Sequence, residues 1–221
     1  MSRINPGRIL YEDQHLLVVN KLEGELVVTA GGHGKLPLYD FLKKLYPSIR
    51  VVHRLDFGTS GVIVFAKTAE AARKIRESKF SGWIKRYRTL AAGHMDIKQG
   101  TIERKLPART KDMLVPAVSR YTVLETFPLA SYVEIEIDTG RKHQIRQHLK
   151  FIGHPLLLDP LYGNQKADHL FKKKFHYHRF FLHAFSLDFP HPVTKEKLHI
   201  ESPIPPSFEK VLRELRAVGS R

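Results

Sequence analysis

The stretch from His53 to Gly61 reads His-Arg-Leu-Asp-Phe-Gly-Thr-Ser-Gly, and it lies between two β-branched apolar runs. These runs, Val51-Val52 and Gly61–Ala66, are typical of buried strands, whereas the polar, glycine-containing segment between them predicts a loop. A loop held by a rigid sheet is a favoured place for catalytic groups. From these residues alone we favour a structural role, in which Asp56 forms an Asx turn before Gly58 and the hydroxyl groups satisfy nearby backbone groups.

The remaining pattern predicts an α+β fold with a mostly antiparallel sheet, because strand segments outnumber helical ones and no regular βαβ alternation occurs. The chain has 221 residues, 42% of them apolar, which favours one large domain. Residues 31–35 are glycine-rich and predict a mobile loop. Strands are predicted at 9–20 (as a pair), 51–52, 61–66, 84–91, 120–127, 131–138, 180–189 and 198–201, and helices at 38–45, 68–79, 145–152 and 208–215.

Charge and composition narrow the classes of function. The formal net charge is +15 and the pI is near 10.0, which favours a polyanionic partner, nucleic acid first. No apolar run reaches the roughly 18 residues of a membrane-spanning helix, and the first eight residues lack a secretory signal, so the cytoplasm is the expected location. The absence of cysteine excludes disulfides, thiolate nucleophiles and cysteine-bound zinc. The histidine spacings do not predict a metal site, since His143 and His148 fall on different helix faces.

Two extended motifs resemble one known family. His-Arg-Leu-Asp at 53–56, followed by Thr-Ser-Gly-Val-Ile-Val-Phe-Ala-Lys at 59–67, resembles the catalytic motif of the ribosomal large-subunit pseudouridine synthase A family. A second match runs from Thr139 to Leu149 and continues through Gly-His-Pro at 153–155 and Asp-Pro-Leu-Tyr-Gly at 159–163. Two long motifs in the right order, about 80 residues apart, are far more specific than a single short pattern.

The resemblance implies a fold and an activity. Family members have a mixed, bent β-sheet with flanking helices and loops around a central cleft, so a single catalytic domain over residues 1–221 is expected, with no separate N-terminal RNA-binding module. The implied reaction isomerises specific uridines in ribosomal or transfer RNA to pseudouridine. No cofactor and no metal are expected, RNA is the expected partner, and the protein is expected to act as a monomer without an obligatory protein partner or a membrane.

The resemblance also implies roles for individual residues. Asp56 matches the family carboxylate that acts as nucleophile or base on a flipped-out uridine, chemistry that a carboxylate can perform unaided. Because burial alone would raise its pKa, it needs a cationic neighbour, and Arg146 stands at the family position for that ion pair. Tyr87 matches the tyrosine that stacks on the target base, an interaction worth about 1–3 kcal/mol. Leu182 stands where relatives place an apolar residue against the base.

Further residues are expected to contact RNA. In relatives the arginine matching Arg54 enters the RNA and fills the gap left by the flipped nucleotide, and His53 either assists or holds the loop. The other expected contacts lie in the motifs or beside them: Thr59, Lys85, Arg86, Arg141 and His143. Two tracts, 79–88 and 171–179, interleave rings and cations, which suits phosphate binding and base stacking. A solvated charge run explains the second tract equally well.

Some positions depart from the family pattern, and other functions stay open. Leu22-Glu23-Gly24 follow Lys21 where relatives continue with Pro, Leu158 replaces a common glycine, and Gln147 replaces an apolar residue. The alternative function is a non-catalytic RNA-binding or ribosome-assembly factor that keeps the fold. A DNA-binding protein is disfavoured, because neither a helix-turn-helix nor a zinc pattern is present.

Overall fold

The computed structural model describes residues 4–29, 36–108 and 113–219. The strands are β1 (Ile9–Glu12), β2 (Leu16–Lys21), β3 (Arg50–Val51), β4 (Thr59–Ala66), β5 (Ile84–Ala92), β6 (Gln99–Glu103), β7 (Leu106–Pro107), β8 (Leu114–Val115), β9 (Val118–Thr126), β10 (Ala130–Ile137), β11 (Leu182–Pro190) and β12 (Lys197–Glu201). The helices are a 3-10 turn (Pro6–Arg8), α1 (Leu38–Leu45), α2 (Ala69–Glu77), α3 (Gln144–Phe151), α4 (Gln165–Phe175) and α5 (Pro206–Gly219).

The chain divides into two compact units. The first contains Met1–Lys85 and Ala184–Pro203, and the second contains Arg86–His183 and Ile204–Arg221. Each unit is therefore built from two separate segments of the chain. The predicted single catalytic domain stays a prediction.

In the first unit, strand β4 is the centre of a sheet in which the β1–β2, β2–β4, β3–β4 and β11–β12 pairs are antiparallel. All eight of its residues are buried, in agreement with a strand that is covered on both faces. The order is β1-β2-β4-β11, with β3 paired to β4 and β12 to β11, and the β2–β4 register sets Leu16 opposite Ala66 and Lys21 opposite Gly61. Helix α2 covers this sheet, and the Thr68 side chain accepts a hydrogen bond from the backbone N–H of Ala71 as its N-cap.

Gly61 allows β4 to approach β11 closely. Its φ is +106°, and a Cβ atom built on it would lie 2.2 Å from the carbonyl oxygen of Ala184. No side chain fits that space, so a residue with no Cβ is required there.

In the second unit, the strands lie in the order β5-β10-β9-β6. The β9–β10 and β6–β9 pairs are antiparallel, and β9 alternates buried and exposed residues over most of its length, as expected of a sheet with one solvated face. A short antiparallel pair, β7–β8, forms a separate two-stranded sheet. The core of this unit gathers side chains from the sheet with Phe171 and Phe175 of α4 and Phe208, Val211, Leu212 and Leu215 of α5.

The α+β class with a mostly antiparallel sheet is confirmed. The sequence prediction missed three short strands, β6 to β8, and helix α4, and it assigned Thr59 and Ser60 to the loop although they begin β4. The predicted mobile loop at 31–35 lies outside the described residues. No helix within the described ranges is both long enough and apolar enough to cross a membrane.

Candidate active site

In the first unit, a buried lysine anchors the loop that carries Asp56. Lys21 is fully buried, and its ammonium group donates to the carbonyl oxygens of Leu22 at 3.1 Å, Phe57 at 3.2 Å and Thr59 at 2.6 Å. Two of these acceptors lie just after Asp56 in the chain. Since an ammonium group has three N–H donors, one side chain ties the end of β2 to the loop and so restricts the position of Asp56.

The environment of Lys21 perturbs its ionisation. Burial lowers the pKa of Lys21 from 10.5 to about 8, although the charges of Glu25, Asp56 and Glu23 act in the opposite direction. The ammonium group thus lies close enough to the Asp56 carboxyl for the two charges to interact. In the sequence, Lys21 was noted only as the residue before a departure from the family pattern and was given no role. A lysine at the end of a buried apolar strand was the available signal.

His53 occupies a structural position in the same loop. Its Nε2 atom accepts a hydrogen bond from the backbone N–H of Val64 at 2.9 Å, and its ring contacts the edge of Trp83 with ring centres 5.6 Å apart. Burial, and then the charge of Lys85, lowers the pKa of His53 from 6.5 to about 3. The ring is therefore neutral at physiological pH and holds the loop against β4. Whether His53 also contacts RNA stays a prediction.

The other predicted residues of the first unit differ in exposure. Arg54 is exposed, Asp56 is half-buried, and Thr59 is buried, with its carbonyl oxygen bound to Lys21. The Lys85 ammonium lies over the Phe80 and Trp83 rings, 5.7 and 5.9 Å from their centres. The loop thus presents one exposed cation, Arg54, beside the carboxylate of Asp56.

In the second unit, Arg146 is buried and makes a two-pronged ion pair. Its exposure is 4%, and that of Asp159 is 3%. The guanidinium donates from Nε to Oδ2 of Asp159 at 2.6 Å and from Nη2 to Oδ1 at 2.7 Å. It also lies over two rings, 5.1 Å from the centre of Tyr162 and 5.0 Å from that of Phe180. A solvated surface position for Arg146 is thereby excluded.

Asp159 is itself held by the backbone. Its Oδ1 atom accepts from the N–H groups of Leu161 at 2.9 Å and Tyr162 at 3.1 Å. Burial alone would raise the pKa of Asp159, but the Arg146 guanidinium and these backbone N–H groups outweigh it and hold the pKa below its ordinary value. The pair is ionised and fixed. A surface groove of about 420 Å³ borders Asp159 and the first half of α4.

The loop before α3 is fixed by Gln144 and Tyr162. The Oε1 atom of Gln144 accepts from the Thr139 hydroxyl at 2.8 Å and from the N–H of Arg141 at 3.1 Å. His143, with a φ of +54°, lies 3.2 Å from the Tyr162 hydroxyl through its Nδ1 atom. The structure thus brings His143 and Arg146 together around the Tyr162 ring.

The other predicted residues of this unit lie on the strands and at the start of α3. Tyr87 and Leu182 are buried, and Arg86 pairs with Glu136 at 3.0 Å. Arg141 is exposed. Asp56 belongs to the first unit and Arg146 to the second, so the predicted ion pair between them stays a prediction. Among residues 4–29, 36–108 and 113–219, no group of three or more His, Asp or Glu side chains is arranged to hold a metal ion.

Comparison with known proteins identifies the family. The family model described as RNA pseudouridylate synthase matches residues 15–151. The ribosomal large subunit pseudouridine synthase C of Vibrio cholerae is 34% identical over 220 residues, which cover 94% of this chain and 69% of that protein. The protein of the same name from Escherichia coli K12 is 36% identical over 224 residues, with coverages of 94% and 70%.

Solved structures agree. Human RNA pseudouridylate synthase domain containing 4 has a TM-score of 0.76 and 26% identity, and the match covers 94% of this chain and 92% of that one. Human RNA pseudouridylate synthase domain containing 1, at 24% identity with a TM-score of 0.73, has the same fold. The sequence motifs resembled those of the ribosomal large-subunit pseudouridine synthase A family, whereas these bacterial relatives are named pseudouridine synthase C. With its two motifs, its fold and these matches, the chain belongs to the RNA pseudouridylate synthase family, whose members are isomerases that act on RNA.

Proposed function

We propose that the chain converts uridine to pseudouridine in ribosomal RNA and that Asp56 is the residue that acts on the target nucleotide. The relatives named for the large ribosomal subunit support ribosomal over transfer RNA. The observation that carries the assignment of Asp56 is its anchoring, because the Lys21 ammonium binds the carbonyl oxygens of Phe57 and Thr59. A catalytic group must be held in place to react efficiently.

The reaction exchanges one bond for another. The bond from N1 of uracil to C1′ of ribose breaks, the base turns, and a bond from C5 to C1′ forms. The proton on C5 is then lost, and N1 gains a proton, so no oxidant or reductant is consumed. An ionised carboxylate can begin this sequence by adding to a carbon of the nucleotide or by removing a sugar proton.

The proposal gives roles to residues of the second unit. Tyr87 stacks on the extruded base and Leu182 packs against it, which offsets part of the cost of unstacking. Arg146, which the resemblance places among the catalytic residues, takes part in the chemical step, and its bidentate pair with Asp159 holds its guanidinium in a fixed orientation.

Surface residues complete the proposed RNA contacts. Arg54 fills the gap left in the RNA, because its planar cation both stacks and pairs with phosphate. The enzyme acts as a monomeric catalytic domain without a cofactor.

The test uses large-subunit ribosomal RNA labelled with tritium at C5 of uracil. Formation of the new bond expels the label into water, so the parent protein should release tritium. Asp56→Asn should abolish release and leave RNA affinity within a few fold, since the change removes a charge but keeps the side-chain shape. Asp96→Asn, at an aspartate whose side chain is 92% exposed, is the matched control and should release tritium normally.

Two outcomes would contradict the proposal. RNA binding by the parent protein without tritium release from ribosomal or transfer RNA would favour a ribosome-assembly factor. Release from transfer RNA alone would contradict the assignment of the substrate.

A further inference from the structure

Helix α4 presents a dense cluster of lysines that the proposed reaction does not use. Its sequence from Gln165 to Phe175 is Gln-Lys-Ala-Asp-His-Leu-Phe-Lys-Lys-Lys-Phe. Lys166, Lys172, Lys173 and Lys174 are exposed, as is Arg179 just beyond the helix. Asp168 is the acidic residue of this helix, and it is buried. Gln165, His169 and Leu170 are also exposed, so the exposed formal charges of α4 are all positive.

These cations form no ion pairs within the described part of the chain, although the charge of Lys172 acts on the buried carboxyl of Asp168. The structure shows no ion pair to any of the four lysines or to Arg179 among the described residues, whereas lysines and arginines on α2 and α5 pair with glutamates. Lysines packed along one helix repel one another. Such a surface needs a polyanion to relieve that repulsion.

The helix dipole does not account for the whole cluster. Cations in the last turn of a helix are favoured by the dipole, which explains part of the run from Lys172 to Lys174. Lys166 lies in the first turn, where the dipole disfavours a cation. At about 100° per residue, Lys166 and Lys173 lie within about 20° of each other on the outer face. Lys172 and Lys174 lie about 100° to either side of Lys173, and the exposed residues His169 and Leu170 lie between Lys166 and Lys173. The four lysines thus form a broad cationic surface and not a single line.

The aromatic residues of the tract face the protein. Phe171 is 0% and Phe175 is 7% exposed, and both pack in the core of the second unit. The interleaved rings of the sequence predicted base stacking, but the structure buries these two rings and leaves the lysines outside. His169 is the exposed ring of α4, and four exposed lysines beside one imidazole make this surface better suited to phosphates than to unstacked bases.

We infer that the lysine cluster of α4 docks against the phosphate backbone of a helical RNA stem that flanks the target uridine. Lysine ammonium groups bind phosphate as point charges and carry no sequence information. A helical stem offers many closely spaced phosphates to a broad cationic surface, whereas a flexible single strand is recognised largely through base stacking. The inference rests on the proposed function for the substrate class, but it concerns binding and not the chemical step.

The test compares two triple variants of equal charge change. One variant carries Lys172→Gln, Lys173→Gln and Lys174→Gln. These changes remove three of the four lysines of α4, and glutamine keeps the helix propensity. The control carries Lys43→Gln, Lys44→Gln and Lys197→Gln, at exposed lysines of the first unit. Binding is measured against salt for a stem-loop RNA and for an unstructured RNA of the same length, with circular dichroism to verify folding.

The α4 variant should bind the stem-loop at least about tenfold more weakly than the control at 50 mM salt. Its salt slope should fall by about 2.7, at 0.9 for each of three phosphates. Tritium release at saturating RNA should match the parent rate. An equal loss of stem-loop affinity in both triple variants would overturn the inference, and so would an equally large loss of affinity for the unstructured RNA. Binding to anionic lipid vesicles is measured as well, and a loss of affinity seen only there would also overturn it. A parent protein that binds RNA but releases no tritium would refute the proposed function and leave the binding comparison intact.

Discussion

The Arg146 guanidinium and the Asp159 carboxylate form two parallel hydrogen bonds of 2.6 and 2.7 Å in a site where both side chains are almost fully buried. Removing one partner of such a pair leaves a buried charge without compensation. Asp159→Asn should therefore lower the free energy of unfolding by about 3 kcal/mol, and it should reduce tritium release more than RNA affinity because Arg146 loses its fixed position. Urea unfolding measures the first effect. Unchanged stability in Asp159→Asn would show that the pair does not support the fold.

The Arg146–Asp159 pair also predicts that the folding stability depends on pH in the acidic range. The pKa of Asp159 is lower in the folded than in the unfolded chain, so its contribution to stability is present above the unfolded value and is lost as pH falls through the folded value. The stability difference between the parent and Asp159→Asn should shrink in acid. A difference that grows as pH falls would have the wrong sign.

Lys21 predicts a rise in stability with pH in the alkaline range. Its folded pKa of about 8 lies below the ordinary 10.5, so between these values the unfolded chain binds a proton that the folded chain releases. Stability relative to Lys21→Met should therefore rise between pH 8 and 10.5, by on the order of 3 kcal/mol in total. Comparison with the methionine variant cancels the titration of other groups.

Lys21→Met should also cost at least about tenfold in tritium release at pH 7, because the carbonyls of the Asp56 loop lose their shared donor. Lys67→Met is the control, at a lysine that pairs with Glu12 at 2.7 Å on the surface. Full activity in Lys21→Met would refute the anchoring role.

His53 should remain neutral down to acidic pH. Its folded pKa is about 3, so between pH 6.5 and 3 the unfolded chain takes up a proton that the folded chain does not, and stability falls with acidity. Nuclear magnetic resonance should show the His53 ring signals constant between pH 5 and 8. The exposed His199, whose pKa is raised by its hydrogen bonds to Asp188 and Glu201, should titrate in the same spectra. Titration of His53 near pH 6.5 would contradict its role as a hydrogen-bond acceptor.

Gly61→Ala should destabilise the fold by more than about 3 kcal/mol, since the new Cβ would lie 2.2 Å from the Ala184 carbonyl oxygen. Gly153→Ala is a matched control, because its φ is +85° but nothing lies within 4 Å of the added atom. The control therefore measures the cost of backbone strain alone, which should lower the free energy of unfolding by about 1 kcal/mol. Equal effects of the two changes in thermal unfolding would show that the close approach of the strands is not the cause.

Local pattern was sufficient for most of the elements. The predicted strands at 84–91 and 131–138 agree with β5 and β10 within one residue, and Thr68 caps α2 as its side chain predicts. These elements have regular periodicity and clear boundary residues, so short-range chemistry determines them.

The sequence prediction missed helix α4 because its many lysines obscure the helical spacing of its apolar residues. Phe171 and Phe175, four residues apart, share the buried face, but the three lysines between them suggested a solvated run. Asn164, whose side chain accepts from the N–H groups of Lys166 and Ala167, was a usable signal for the start of the helix.

The buried charges could not be predicted from pattern. Lys21 and Asp159 are residues that usually lie at the surface, and their burial depends on partners distant in sequence, such as Thr59 for Lys21 and Arg146 for Asp159. The resemblance supplied Asp56, Tyr87 and Arg146. The side chains that hold two of these positions became visible only with tertiary structure.

Most of strand β11 comes late in the sequence but belongs to the first unit. The segment Ala184–Pro203 belongs with Met1–Lys85, so a nascent chain that ends at residue 183 lacks the partner strand against which Gly61 packs. The loop that carries Asp56 therefore reaches its final support only after strand β11 has left the ribosome. Premature release during translation would yield a product with every motif residue present and its sheet unfinished.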